Sequence, residues 1–204
     1  MAEKWISKDN FKPKALNGIS DKQIEYHFET HYKGYVNKLN EVWEKLEKTD
    51  RTKANQNYSE FRELKVEETF NHCGSLLHEL YFETLGDGSK KPGLKFTELI
   101  TRDFGSYEKW LEDFKALSIA FRGWAILVFD LSTGTFRNIG SDAHNLYHIW
   151  NAIVILTFDT YEHAYYVDYG PKRAAYIEAL LGNIKWEVVE NRVTKALKAY
   201  DALK

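Results

Sequence analysis

Two histidines lie on the apolar stripes of two predicted helices, at positions where their side chains would face each other. His27 belongs to a helical pattern from Ser20 to Glu47, and His78 to a second pattern from about Ser59 to Leu85. Antiparallel helices pack about 8–10 Å apart, so imidazoles at facing positions can bind one metal ion. A single histidine on such a stripe is more often a hydrogen-bonded core residue than a ligand. The pair alone therefore leaves both interpretations open.

A second group of metal-binding residue types lies where a predicted strand ends. Asp159 closes the apolar stretch 153–158, and His163 follows four residues later. A carboxylate buried at a strand end is costly unless it is paired or coordinated. The alternative is an exposed charged turn, but the aromatic stretch 164–169 that follows favours a buried position.

Together these positions supply three imidazoles and one carboxylate, from His27, His78, Asp159 and His163. Nitrogen and oxygen donors suit iron or manganese, and the set contains no thiolate to favour zinc or copper(I). One coordination position would stay open for water or a small ligand. The residues alone thus indicate a mononuclear redox metal site.

A helical hairpin must position the first two of these histidines. The polar segment 48–56 between the two helical patterns predicts an antiparallel hairpin. Ser20 followed by Gln23 predicts a capping box at the start of the first helix. The turn-forming segments 86–88 and 92–93 predict that the hairpin ends there.

A sheet must position the aspartate and the third histidine. Strand character is found at 124–129, 136–139 and 153–158. Helical patterns are found at 97–104, at 106–120 and from about 164 to 203, with breaks near Gly170 and Gly182. We therefore expect an α+β fold, with an N-terminal antiparallel helical hairpin and a C-terminal lobe of a three-stranded antiparallel sheet and surrounding helices. The predicted domains are residues 1–90 and 91–204.

Composition excludes several classes of protein. The chain has 204 residues, 28 basic and 30 acidic, with a net charge of −2, so bulk charge does not favour binding to nucleic acid. The long uncharged run that contains 145–158 is too short to cross a membrane. Met1 to Asn10 contains no apolar core of a secretory signal. Cys73 is a single cysteine and suits a reducing compartment, so we expect a cytoplasmic protein.

The chain resembles the iron/manganese superoxide dismutases in four ordered blocks. The blocks are 25–37, 70–78, 123–127 and 159–166, and the last contains Glu-His-Ala-Tyr-Tyr at 162–166. The resemblance implies that one iron or manganese ion per subunit is held by the three histidines and the aspartate. It further implies that the ion alternates between two oxidation states and converts superoxide to O2 and H2O2.

The same resemblance implies roles for residues around the metal. Tyr35 aligns with a gateway tyrosine that relays protons, His31 with a histidine of the outer channel, and Trp124 with a tryptophan that walls the pocket. Glu162 and Tyr166 align with residues that cross a two-fold interface, which implies a homodimer or homotetramer.

Arg173 resembles a family arginine near the substrate channel. Because the net charge of the chain is weakly negative, local positive charge of this kind is needed to steer the superoxide anion.

Several positions depart from the family pattern. The family usually places a glutamine near the bound solvent from one of two positions, and here these positions are Gly74 and His144. A histidine at 144 resembles a less common branch of the family and is expected to hydrogen-bond the coordinated solvent. Phe82 and Tyr161 stand where tryptophans are common, and Glu79, directly after a ligand, is expected to point away from the metal.

Two other functions are compatible with parts of the sequence. One is a non-haem iron oxygenase, because His27 and Glu29 have the spacing of a His-x-acid pair, although these side chains diverge on a helix. The other is a metal-free interaction protein that retains the fold, and the complete ligand set argues against it. His72 and His148 are expected to be structural.

Overall fold

The N-terminal half is a hairpin of antiparallel helices. The computed structural model describes residues 3–88 and 91–204. Helix α1 (Asp21–Glu25) continues through a π-helical segment (Tyr26–Tyr32) into α2 (Lys33–Lys48), and α3 (Glu60–Thr84) returns along it. Two hydrogen bonds between the arms show that they are antiparallel. Trp43, late in the first arm, donates to Glu68, whereas Tyr32, earlier in that arm, donates to Glu79, which lies later in α3.

Serine side chains start both arms of the hairpin. Ser20 accepts a hydrogen bond from the backbone N–H of Gln23, and Ser59 accepts one from that of Arg62. Each bond satisfies one of the N–H groups that lack a partner at a helix start. The serines therefore fix where the two arms begin.

The π-helical segment is a departure from the regular helix that the sequence predicts over Ser20 to Glu47. Within it, the N–H of Lys33 donates to the carbonyl of Phe28, five residues earlier. Such wide turns are rare, and they occur often at functional sites. This one carries His27 and His31, so the irregular backbone lies where two predicted site residues are presented.

The C-terminal half contains a three-stranded antiparallel sheet. Strand β1 (Trp124–Asp130) lies between β2 (Thr135–Ser141) and β3 (Ala152–Asp159). All residues of β1 are buried, which explains why its sequence is a continuous apolar run rather than an alternating one. The register pairs Trp124 with Asp159, so the end of this sheet places the indole and the carboxylate side by side.

Helices surround the sheet. They are α4 (Leu94–Phe104), α5 (Tyr107–Ala120), α6 (Tyr166–Tyr169), α7 (Arg173–Gly182) and α8 (Trp186–Ala202). The predicted α+β class is therefore confirmed. The boundary predicted between residues 90 and 91 falls in part on residues 89–90, which lie outside the described residues.

Across residues 3–88 and 91–204, every helix is too short or too polar to cross a lipid bilayer.

Candidate metal centre

Four side chains from distant parts of the chain converge in the interior. Ligand atoms of His27, His78, Asp159 and His163 all lie within 4.8 Å of one another. The Oδ2 atom of Asp159 is the centre of the group, with the Nε2 atom of His27 at 3.1 Å, that of His78 at 3.3 Å and that of His163 at 3.1 Å. The π-helical segment, α3 and the end of β3 with the turn after it therefore supply one compact donor set.

Burial sets the protonation states in this group. It lowers the pKa of His27 to about 4 and the pKa of His78 well below its ordinary value, so both rings are neutral at pH 7. Burial opposes ionisation of Asp159, but attraction and hydrogen bonding from His163 and His27 outweigh it and hold the pKa of that carboxyl well below its usual range. A buried carboxylate is thus surrounded by ring nitrogens.

The hydrogen bond of His78 shows that this arrangement fits a cation. Its Nδ1 atom lies 2.6 Å from the carbonyl oxygen of Gly74, which can only accept, so Nδ1 carries the proton and Nε2 the lone pair. The Nε2 atom lies 3.3 Å from the Asp159 Oδ2 atom, so two hydrogen-bond acceptors face each other. Two ligands about 2.0–2.2 Å from one ion would be separated by about 3 Å. A metal ion therefore resolves a contact that is otherwise unfavourable.

A pair of buried tyrosines supports Asp159 from behind. The hydroxyl of Tyr176 donates to the backbone carbonyl of Asp159 at 2.9 Å. Because that proton is used, the Tyr81 hydroxyl donates to the Tyr176 oxygen, also at 2.9 Å. Sequence reasoning missed both residues. Tyr81 follows His78 by three positions and shares its helix face, which is a usable signal, whereas Tyr176 carries none.

Trp124 and His144 form a hydrogen-bonded pair on one wall of the site. The Trp124 ring is fully buried and nearly perpendicular to the His78 ring, with ring centroids 5.1 Å apart. Its indole N–H donates to the Nδ1 atom of His144 at 2.9 Å. An indole nitrogen only donates, so Nδ1 accepts and the ring proton of His144 is on Nε2. Burial lowers the pKa of His144 to about 4, so the ring carries that single proton.

The Nε2 atom of His144 is buried and has no hydrogen-bond partner within the described part of the chain. An unpaired buried donor costs free energy. This N–H is therefore available to donate to a ligand with an oxygen acceptor.

Tyr35 and Gly74 complete this wall. The Tyr35 ring lies 4.5 Å from the His144 ring and 5.2 Å from the His78 ring. A Cβ atom on Gly74 would come 3.1 Å from the Tyr35 ring and 3.2 Å from His144, which is tighter than ordinary packing. The glycine makes room for both rings. Burial raises the pKa of Tyr35, so its hydroxyl keeps its proton at neutral pH.

The His163 ring is nearly parallel to two neighbouring rings. Its centroid lies 4.1 Å from that of His31, with planes inclined by 16°, and 5.2 Å from that of Tyr161, with planes inclined by 13°. Phe82 packs against the His27 ring at 4.9 Å. Phe82 and Tyr161, which stand where the family has tryptophans, therefore line the cluster of three histidines and Asp159.

Three of the predicted site residues lie outside this cluster. Glu162 and Tyr166 are exposed at the surface, just after the third strand. Arg173 borders an open surface cavity with Glu162 and donates to the Tyr165 hydroxyl at 3.1 Å and to the Phe121 carbonyl at 3.0 Å. The Arg173 guanidinium is thus held in place beside the segment that carries His163.

Glu79 points away from the cluster, as predicted. Its Oε1 atom accepts from the Trp5 indole at 2.6 Å and from the Tyr32 hydroxyl at 2.9 Å. His72 packs against the rings of Trp5 and Trp43, at 4.8 and 6.3 Å. His148 borders an apolar cavity beside the sheet.

Glu29 does not join His27 in a shared site. Its carboxylate pairs with Lys12 at 2.8 Å and with Lys33 at 2.8 Å, whereas His27 is fully buried. The two side chains diverge as expected on a helix. This placement removes the geometry on which the oxygenase alternative depends.

Family models match both halves of the chain. The alpha-hairpin domain of iron/manganese superoxide dismutases matches residues 8–86, and the C-terminal domain of iron/manganese superoxide dismutases matches residues 92–192.

Individual proteins are similar along nearly the whole chain. A "Superoxide dismutase [Fe]" of Aquifex aeolicus is 55% identical over 201 residues, covering 97% of this chain and 94% of that protein. A "Superoxide dismutase [Fe]" of Pyrobaculum aerophilum is 36% identical and covers 91% and 89%. A "Superoxide dismutase [Mn] 1" of Halobacterium salinarum is 33% identical and covers 90% of each. The chain is therefore similar both to proteins named as iron superoxide dismutases and to proteins named as manganese superoxide dismutases.

Proposed function

This chain belongs to the iron/manganese superoxide dismutase family and is a superoxide dismutase, and we propose that His27, His78, Asp159 and His163 hold its one iron or manganese ion. The observation that carries the ligand assignment is the convergence of three Nε2 atoms on one oxygen of Asp159. When bound, the ion exchanges single electrons, so that one superoxide is oxidised to O2 and a second, with two protons, is reduced to H2O2.

The donor set suits an ion that must hold two oxidation states. Neutral imidazoles do not offset the charge of the ion, and they keep the lower state accessible, whereas the Asp159 carboxylate favours the higher one. The fully buried Trp124 keeps water from one side of the ligands, and exclusion of water strengthens the electrostatic effect of the carboxylate. The chain's contribution is thus to balance the two states.

His144 supplies the hydrogen bond that the family takes from glutamine. Its Nε2–H is fixed as a donor by the Trp124 bond, and its ring lies 5.7 Å from that of His78. A donor beside the ligands favours oxygen species that carry negative charge. Gly74, at the other position where the family places a glutamine, provides the space that the His144 ring needs.

Tyr35 and His31 form the entry side of the pocket. The Tyr35 hydroxyl keeps its proton because burial raises its pKa, so it is available to donate when superoxide takes up protons. His31 is half-buried and stacked on His163, which places it between the ligand group and the surface. Arg173 adds a fixed positive charge that attracts the anionic substrate.

The first prediction concerns metal and activity. The purified protein is expected to contain one iron or manganese ion per chain, to lose superoxide consumption on chelation, and to regain it with at least one of the two metals. Elemental analysis paired with a superoxide assay after reconstitution checks this. A metal-free protein that gains no activity with either metal would favour the interaction-protein alternative.

The protein is proposed to assemble as a homodimer or homotetramer. Three exposed apolar side chains support the proposal that a second subunit covers the surface beside His163. They are Tyr26, Tyr166 and Val167, which are 48%, 53% and 49% accessible. Glu162, in the same segment, would meet His163 of the partner subunit, and Tyr166 would meet His31 of the partner subunit. Each site would then depend on assembly.

The second prediction tests this interface. Glu162→Ala is expected to shift the protein toward monomer by at least about tenfold in the dissociation constant, because it removes a charged contact close to the ligand segment. Analytical ultracentrifugation over a range of concentrations measures the shift. Glu98→Ala, at an exposed position on α4, is the matched control and should leave assembly unchanged. An unaltered dissociation constant for Glu162→Ala would count against the assignment.

Two further proposals concern organisation and location. The domains are proposed to be 1–90 and 91–204, which the separate matches of two family models support. A cytoplasmic location is supported by Cys73, which is a free thiol.

A further inference from the structure

A buried glutamine joins the helix of one ligand to the segment of another. Gln23 is fully buried in α1, one turn before His27. Its Nε2 atom donates to the backbone carbonyl of His163 at 2.7 Å, and its Oε1 atom accepts from the backbone N–H of Val167 at 3.1 Å. Because the carbonyl only accepts and the N–H only donates, the orientation of the amide is fixed by its partners.

This use of Gln23 differs from the one that the sequence predicts. A capping box would return the glutamine side chain to the backbone of Ser20. Only the serine half of the box is formed, since Ser20 accepts from the Gln23 backbone N–H at 3.1 Å. The side chain instead reaches partners more than 100 residues away. A buried amide is costly without hydrogen bonds, so its two bonds strongly favour one relative placement of these segments.

The ring contacts of His163 do not by themselves fix the position of its backbone. Its ring is nearly parallel to the rings of His31 and Tyr161, which restrain its plane. Stacked rings can slide over each other, so they restrain tilt better than translation. The bond from Gln23 restrains translation of the His163 backbone, and the bond to Val167 anchors the start of the next helix.

We propose that Gln23 is a positioning residue for the metal centre, holding the His163 imidazole at coordination distance from the other three ligands. The inference rests on the proposed ligand set and adds a residue to its support. Partners of this kind typically change metal affinity or activity by about 10–100-fold when they are removed. Gln23 acts through one backbone carbonyl, so the lower end of that range applies.

The test compares substitutions of two buried amide side chains, Gln23 and Asn183. Gln23→Met removes both hydrogen bonds at similar volume, and Gln23→Glu keeps an acceptor for Val167 but loses the N–H donor to His163. Asn183→Leu is the matched control, because Asn183 is also fully buried and ties Asn17 to α7 without contacting a ligand residue. The readouts are the electron paramagnetic resonance spectrum of the Fe³⁺-loaded protein and the rate at which iron is lost to a chelator.

Both Gln23 variants are expected to shift the Fe³⁺ spectrum and to lose iron at least about tenfold faster than the wild type. Asn183→Leu is expected to lower the unfolding temperature while leaving the spectrum and the rate unchanged. If Gln23→Met does not fold, Gln23→Glu decides. Wild-type spectra and rates in the Gln23 variants that fold, or equal changes in Asn183→Leu, would overturn the proposal. A wild-type protein that binds no iron or manganese would instead overturn the ligand set itself.

Discussion

His78→Ala is expected to retain less than about a tenth of the wild-type metal and to lose measurable superoxide consumption. The variant removes one of three neutral imidazoles, and its fixed Nδ1–H bond to Gly74 shows that the lost atom is the lone-pair Nε2 that faces Asp159. The two remaining histidines and the carboxylate cannot complete the donor set. Elemental analysis of the purified variant and a superoxide assay after reconstitution measure both effects.

His72→Ala is the matched control for this variant. His72 lies on the same helix, six residues earlier, and packs against Trp5 and Trp43 instead of the ligands. It should keep full metal content even if the fold loses some stability. Full metal content and activity in His78→Ala would remove the ligand assignment. Circular dichroism distinguishes loss of metal from loss of fold, and His78→Gln, which better fills the space, repeats the test if the alanine variant unfolds.

The four proposed ligands could be found in the sequence because each stands in a strong local pattern. His27 and His78 lie on apolar helix stripes, and Asp159 ends an apolar strand with His163 four residues later. Periodicity and turn residues carry this information along the chain. The same patterns locate the strands within one or two residues of their observed ends.

The support around the ligands could not be predicted in the same way. Tyr176 reaches Asp159 only because tertiary packing places α7 against α5 and α6, and no spacing in the sequence expresses that. The sequence predicts that the Gln23 side chain caps its own helix, because sequence patterns for caps involve only nearby backbone groups. Its actual partners, His163 and Val167, are brought close by tertiary packing. The π-helical turns likewise could not be predicted, because the helical spacing of apolar residues does not distinguish them from regular α-helix.

The protonation of His144 shows most clearly what the fold adds. The sequence places a histidine in a loop after β2 and says nothing about which ring nitrogen carries the proton. The sheet places Trp124 opposite Ser141, three residues before His144, and so brings the indole N–H to Nδ1. Once that bond exists, Nε2 must be the donor. The proton position on the His144 ring, on which its proposed role depends, thus follows from strand register.

His144→Leu is therefore expected to keep its metal but to lower superoxide turnover by about 10–100-fold, the range typical of a lost hydrogen bond around a metal site. Leucine fills most of the space and removes the Nε2–H donor of His144, which has no partner within the described part of the chain. His144→Gln restores an N–H donor, so it should recover part of the activity and change the relative activity with iron and manganese.

Phe70→Leu is the control that distinguishes loss of the His144 hydrogen-bond donor from loss of packing around the His144 ring. The Phe70 ring contacts the His144 ring at 4.6 Å and offers no hydrogen bond, so its truncation loosens the same wall without removing a donor. It should lower stability more than turnover. Steady-state kinetics of all three variants, each loaded with iron and with manganese, provide the comparison. Because a donor beside the ligands biases the balance between oxidation states, His144→Leu should also shift the reduction potential, which Phe70→Leu should leave near the wild-type value. Unchanged kinetics and potential in His144→Leu would mean that its N–H takes no part in the reaction.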